Sequence, residues 1–463
     1  MIQYLVLLLA LLQAEPVDRL IQGGTVVTMD REMRVLEGAA VAIRGERIAA
    51  VVEAGDPLPD AREVVDAAGH LVIPGLVNTH GHVPMILLRG LADDMALMEW
   101  LNDFIFPAEA RNVDKEFVYW GTLLGAIEMA RGGTTTFTDM YYFEDEIARA
   151  TDRSGLRAVL GQTIIGFPAP DYKTTEEALA ATEAFVREYR DHPRITPSVA
   201  PHALYTTDIE VISKAREMAR KYEVPFQIHA HESPEEDEAV RKKMGMTTLS
   251  ALDRAGVLGS GVILHHVITL TDEDIRLIAR SGATTSHNPE SNMKGASGLA
   301  RAPDLIAAGI PVGLGTDGAA SNNNLDMFEE MDTAAKVHKL YRQDPTVMPA
   351  RDVFRMATIG GAEALGLADD VGSIEPGKLA DLVLIDLDKP ELTPLYNVYS
   401  HLVYVIKGPF VRSVMVGGEW VVRDREVLTM DVEEVLTKAR QIQERIRASL
   451  ARTEPRAEPR AKQ

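Results

Sequence analysis

Two imidazoles one residue apart, His80 and His82, close an apolar run that reads LVIPGLVNTH over 71–80. In an extended strand residues i and i+2 project to the same face, so both rings can reach one ion, and Gly81 keeps the backbone slim between them. Further on, His229 lies near the end of VPFQIHAHE and Asp317 closes VGLGTD. Three neutral imidazoles and one carboxylate form a donor set that suits Zn2+ or Fe2+ and leaves an open position for water. An ion there brings the pKa of that water to about 7, which makes hydroxide available at neutral pH. Asp317 can also take the water's proton and is the candidate general base. Of the twelve histidines, eight fall at the ends of apolar runs: His80, His82, His202, His229, His231, His265, His266 and His287.

These side chains need a frame that brings strand ends together. Eight apolar or β-branched runs occur in order: 71–80, 133–140, 156–164, 195–203, 224–232, 261–267, 283–289 and 312–317. Helical stretches such as EFVYWGTLLGAIEMARG separate many of them. This alternation predicts an α/β fold, a (β/α)8 TIM-type barrel with its polar residues at the C-terminal mouth. A doubly wound open sheet is the rival, and its G-x-G-x-x-G fingerprint is missing. Short alternating strands with Gly-Gly turns fill both ends of the chain, which predicts one composite β-sandwich from 15–70 with 369–427 around a barrel of 71–368. Residues 431–453 have helical periodicity, so 428–463 reads as a C-terminal helix followed by an unstructured tail, RAEPRAKQ.

Composition narrows the partners. The 463 residues carry 48 Lys and Arg against 69 Asp and Glu, a net charge of −21. Such acidity excludes binding driven by cation clusters on a phosphate backbone, so no nucleic acid is expected. The absence of cysteine removes thiolate nucleophiles, disulfides and thiolate zinc sites. The apolar segment Ile2–Leu12 is too short to span a bilayer but matches a signal-peptide core, although no Lys or Arg precedes it. The expectation is a cytoplasmic enzyme with no membrane contact, and export through Ile2–Leu12 is the alternative.

Several motifs recur together: PGLVNTHGH (74–82), EMARGGTTTFTDM (128–140), APH (200–202), IHAHE (228–232), SHNPESNMK (286–294) and GTDGAASNNN (315–324). With them the chain resembles the amidohydrolase superfamily along nearly its whole length. Within it, the chain looks like the 5-methylthioadenosine/S-adenosylhomocysteine deaminase group, with triazine hydrolases as relatives. The resemblance implies a barrel wrapped by a composite β-sandwich, with His80, His82, His229 and Asp317 as metal ligands. It implies Glu232 as the proton shuttle to a ring nitrogen and His265 as the group that orients the attacking water. By strand alternation His266 should then point away. Glu109 and His202 would hold the ribose and Trp100 would stack on the purine, with Trp100 and Glu109 in a long connection suited to a lid. His231 and His287 receive no role.

Relatives with two metals use a bridging carboxylated lysine on a middle strand, and here those strand ends read Leu160-Gly161-Gln162 and Ala200-Pro201-His202. One divalent metal per chain is therefore expected, zinc first, with iron(II) or manganese(II) as alternatives. The family's arginine after strand three is absent: Gln162 stands there and Lys173 is the next cation downstream. The implied activity is hydrolytic deamination of a purine nucleoside to an inosine-type product and ammonia, in a homo-oligomer. A hydrolase of guanine, an oxidised purine, cytosine or a triazine is the alternative. A barrel that lost catalysis and only binds would have no use for Glu232 and His265 beside a metal.

Overall fold

The computed structural model describes residues 16–451. The segment Ile2–Leu12 and the RAEPRAKQ tail lie outside the described residues. The chain opens with β1 (Val17–Val27), β2 (Val35–Arg44), β3 (Arg47–Val52), β4 (Ala61–Asp66) and β5 (His70–Pro74). Eight further strands follow: β6 (Leu76–Asn78), β7 (Thr134–Tyr141), β8 (Arg157–Ile164), β9 (Ile195–Pro201), β10 (Phe226–Ala230), β11 (Val262–His266), β12 (Thr284–His287) and β13 (Val312–Leu314). These eight are parallel and close into a barrel, with β13 pairing back onto β6. Every residue of β7 and β8 is buried, as expected where side chains pack the barrel on one face and helices cover the other.

The last four strands, β14 (Leu382–Asp386), β15 (Val411–Val416), β16 (Glu419–Arg423) and β17 (Glu426–Val427), return to the opening ones. Together they form a nine-stranded mixed sheet in which β14 pairs β5, while β4 branches off β1. Strand alternation gives β5 and β14 two apolar faces. Leu71, Ile73, Val383 and Ile385 pack into the barrel's core, whereas Val72, Leu382 and Leu384 build a second core with Ile21, Ile43 and Trp420. Burial of each such side chain contributes about 1.5–3 kcal/mol. The sheet curls over that second core: Arg47 bridges to Leu379, and the Gly418 N–H donates to the Ala380 carbonyl at 3.1 Å. Arg157 on β8 meets Asp381 at 3.2 Å, with both side chains under 10% exposed, and ties the barrel to the sheet.

One element departs from the sequence reading. The run 71–80 reads as a single barrel strand, but it divides at Pro74–Gly75, so that 71–74 belong to β5 of the outer sheet and 76–78 to the barrel. The cause is steric. A Cβ on Gly75 would stand 1.9 Å from the Thr135 hydroxyl, so only glycine lets the chain pass between the two sheets. The C-terminal helix spans Val432–Ala451 and buries Val435, Ala439, Ile442 and Ile446, the spacing of an amphipathic face. Among the described residues no helix is long and apolar enough to cross a membrane.

Candidate metal centre and substrate cleft

The loop leaving β6 carries His80 and His82 into the barrel mouth. Close approach from β13 depends on Gly315, where a Cβ would lie 2.7 Å from the Cβ of His80. Asp317 follows in a left-handed conformation, φ 62°, and its Oδ1 lies 3.5 Å from the Nε2 of both His80 and His82. His229, near the end of β10, brings its Nε2 to 3.3 Å from that of His82. The imidazole orientations are set from behind. His82 Nδ1 donates to the Met140 carbonyl at 2.7 Å, and His229 Nδ1 donates to the His202 carbonyl at 2.8 Å. A carbonyl can only accept, so each Nε2 presents a bare lone pair to the common centre.

A divalent cation fits this donor set. Both ring nitrogens of His80 are buried with no hydrogen-bond partner, a loss of about 1–3 kcal/mol per group unless something accepts the lone pair. Burial, reinforced by the neighbouring imidazoles, pushes His80 and His229 well below the usual histidine range, so both stay neutral as ligation requires. Burial would raise Asp317, but the facing His266 and His82 rings and hydrogen bonds from Ser291 and Gly318 hold it below the usual carboxylate range. The Ser291 and Ser321 hydroxyls both donate to its Oδ2, at 2.6 and 2.9 Å. Among the described residues, the two clusters of potential ligands, His80–His82–His229 and His80–His266–Asp317, share His80 and mark one place.

The two histidines ending β11 exchange the parts that alternation assigns them. His265 pairs in register with His229 and faces inward, but it stacks on His80 with ring centroids 4.0 Å apart, and its Nε2 is bonded to Gln227 at 3.1 Å. It does not line the cleft; His266 does. The reason is a turn that alternation cannot foresee. Val267 N–H donates to the His265 carbonyl at 3.0 Å, which closes a γ-turn with His266 at φ 70° and Val267 at φ 45°. A left-handed backbone re-aims the His266 ring toward the mouth, where its Nε2 stands 3.8 Å from Glu232 Oε1. Expecting His266 to point away was therefore wrong.

The mouth opens into a cleft lined by apolar side chains such as Met85, Leu97, Ile105 and Phe106 beside a few polar groups, the make-up of a small-molecule site. Glu232 lies on its wall, receives the Tyr205 hydroxyl at 3.1 Å, and has its backbone N–H held by Glu236 at 2.7 Å. Burial raises its carboxyl above the usual range. Glu109 is 3% exposed on the helix Phe106–Asn112, accepts from the Tyr141 hydroxyl at 2.6 Å, and is pushed by burial up to about 7. His202 lines the same cleft, with Nδ1 2.9 Å from the Thr206 hydroxyl, and burial drives it down to about 3. Trp100 closes another side and donates from Nε1 to the Ala92 carbonyl at 3.1 Å. It begins a π-helical turn, Trp100–Ile105, which widens the helix and delivers Glu109 one turn later.

All the candidate residues except His265 thus border one cleft or centre. His231, with Nδ1 2.7 Å from Asp237, and His287, with Nε2 3.0 Å from that of His338, bond to partners of their own. Gln162 donates to Asp171 at 2.8 Å and Lys173 to the Ala169 carbonyl at 2.6 Å. The sequence reading missed Tyr141, Tyr205, Ser291 and Asn292. The last two stand inside SHNPESNMK, and Asn292 Oδ1 accepts from His266 Nδ1 at 2.9 Å.

The amidohydrolase family model matches residues 71–421. The chain is 48% identical to the 5-methylthioadenosine/S-adenosylhomocysteine deaminase 1 of Syntrophus aciditrophicus, over 94% of this chain and 99% of that one. It is 44% identical to the 5'-deoxyadenosine deaminase of Methanocaldococcus jannaschii, over 88% of this chain and 96% of that one. Among solved structures, an adenosine deaminase from Xanthomonas campestris with bound zinc superposes with a TM-score of 0.92 at 40% identity, covering 94% of this chain and all of its own. An atrazine chlorohydrolase from Arthrobacter aurescens, 24% identical over 92% of this chain and all of its own with a TM-score of 0.85, shares the fold.

Proposed function

The chain belongs to the amidohydrolase family, and we propose that it is a metal-dependent hydrolase that deaminates adenosine-type nucleosides such as adenosine, 5-methylthioadenosine and S-adenosylhomocysteine. The observation that carries this reading is the meeting of a His3Asp donor set with Glu232 and His266 on the wall of one cleft. The names of the 40–48% identical relatives support the substrate class.

Deamination puts a water oxygen on C6 of the purine, adds a proton to ring N1 and releases the amino group as ammonia. His80, His82, His229 and Asp317 would hold one divalent cation, zinc first, whose Lewis acidity would lower the pKa of a nearby water to about 7. Asp317, held as a carboxylate, accepts that water's proton and later passes it to the departing amine. Burial raises the Glu232 carboxyl above the usual range and so favours the acid form that donates to ring N1; it regains the proton that the C6 hydroxyl gives up as the amine leaves. His266 takes the water-orienting place expected of His265: its Nδ1–H is engaged by Asn292, so its Nε2 is free to accept from the attacking water. Glu109 in its ionised form accepts the ribose hydroxyls, His202 contacts the sugar, and Trp100 stacks on the base. The family likeness alone leads us to add a homo-oligomeric, cytoplasmic state.

The test is an ultraviolet assay of metal-analysed protein that follows conversion of adenine to hypoxanthine. Turnover of a nucleoside with about one ion per chain is expected. Silence from fully loaded protein, or two fully occupied ions per chain, would overturn the reading.

A further inference from the structure

The two carboxyl oxygens of Glu232 meet different neighbours. Oε2 receives the Tyr205 hydroxyl at 3.1 Å, while Oε1 stands 3.8 Å from His266 Nε2. The backbone of Glu232 is pinned as well: its N–H donates to Glu236 Oε2 at 2.7 Å, and Glu236 Oε1 accepts from the Thr248 hydroxyl at 3.1 Å. Tyr205 reaches this carboxyl because its loop is held on both flanks. The loop follows β9, and within it Ala203 bridges to His229 on β10. The Thr207 N–H donates to the Ala203 carbonyl at 2.9 Å and closes a turn around Tyr205. On the β8 side the Gly166 N–H donates to the Thr206 carbonyl at 2.9 Å, an approach that requires glycine because a Cβ there would lie 2.5 Å from that carbonyl oxygen. The phenol ring packs edge-on against His202, with centroids 5.8 Å apart. Burial, together with the Glu232 and Glu236 carboxyls, pushes the phenol well above its usual range, so it remains an O–H donor.

A carboxylic acid accepts a hydrogen bond better through its carbonyl oxygen than through its hydroxyl oxygen, so a donor at Oε2 leaves the acid proton on Oε1. We propose that Tyr205 is a positioning residue for the deamination: its hydroxyl keeps the transferable proton on Glu232 Oε1 and then stabilises the carboxylate left behind. This rests on the nucleoside reading above and adds to it what controls the proton donor. In the step itself the Oε1–H bond breaks as the N1–H bond forms, and both electrons of the broken bond stay on the carboxylate. The bond from Tyr205 strengthens as Oε2 gains charge. The carboxylate then regains its proton from the C6 hydroxyl as ammonia departs.

A double-mutant cycle tests it on the zinc-loaded enzyme with adenosine and 5-methylthioadenosine: wild type, Tyr205→Phe, Glu232→Gln and the double variant, each with metal analysis. Phenylalanine keeps the ring against His202 and removes only the hydroxyl. Tyr205→Phe is expected to lower kcat ~10- to 100-fold in the wild-type background, with KM and metal content little changed. In the Glu232→Gln background, where no acid proton is left to hold, the same change should cost less than ~2-fold. Equal losses in both backgrounds would make the hydroxyl a general support of the cleft, and an unchanged kcat would leave it no part in the proton transfer. A higher KM with kcat kept would make it a substrate contact. Each of these three results would overturn the proposal while leaving nucleoside deamination intact. No turnover of either nucleoside by the zinc-loaded wild type would overturn both.

Discussion

The Nδ1–H of His266 donates to the side-chain oxygen of Asn292 at 2.9 Å. That single bond decides which face of the imidazole meets the cleft, because the opposite nitrogen is left without a partner. Removing it by Asn292→Leu frees the ring to rotate and to change tautomer. Loss of such a supporting bond typically costs ~10- to 100-fold in activity. We expect kcat to fall by that amount with KM and metal content little changed, checked by steady-state kinetics beside metal analysis; a parallel loss of metal would make Asn292 part of the ion's support instead.

Glu232 can donate a proton only as a carboxylic acid, and an amide of the same shape cannot. Glu232→Gln should reduce kcat by ~100-fold or more while the metal stays bound. Metal analysis and kcat on the same preparation check this, and retained turnover would remove Glu232 from the reaction.

Glu109 links pH, stability and binding. Its carboxyl is raised from 4.5 to about 7, so the folded protein binds the proton more tightly than the unfolded chain. Its burial therefore costs nothing below about pH 4.5, and the cost grows until the folded group ionises near 7. At pH 8 this amounts to something on the order of 3 kcal/mol. Glu109→Gln should raise the melting temperature at pH 8 and leave it unchanged at pH 4.5.

The same ionisation should govern the substrate. As the carboxylate is the form that accepts ribose hydroxyls, kcat/KM for nucleosides should rise through about pH 7 in the wild type and lose that limb in Glu109→Gln. In the variant, KM should increase ~10-fold or more for nucleosides than for free bases. Equal effects on both would point to the alternative of a free-base or triazine substrate.

His80 predicts a thermal signature of the metal. Its two buried ring nitrogens have no protein partner, so an ion there stabilises only the folded state. Zinc at a hundred-fold excess over its dissociation constant should add about 3 kcal/mol. Differential scanning calorimetry with and without a chelator would show the shift, and His80→Ala should abolish it.

Much of this was legible in the chain itself. The eight barrel strands and the amphipathic helix ending the fold follow from local rules, apolar runs and 3.6-residue spacing, and the candidate ligands His80, His82, His229 and Asp317 stand out as polar residues at the ends of those runs. Each of those rules acts over a few residues and leaves its trace in their order. The division of 71–80 at Gly75 and the exchange of His265 for His266 left no such trace. The first arises because Thr135, sixty residues away, occupies the space a side chain would need. The second arises because strand alternation holds only while the backbone stays extended. At β11 the chain turns left-handed at its last residue, where Val267 N–H is bonded to both the His265 and Ala230 carbonyls. Which imidazole faces the reaction is set by contacts between segments distant in sequence, and those exist only once the barrel has closed.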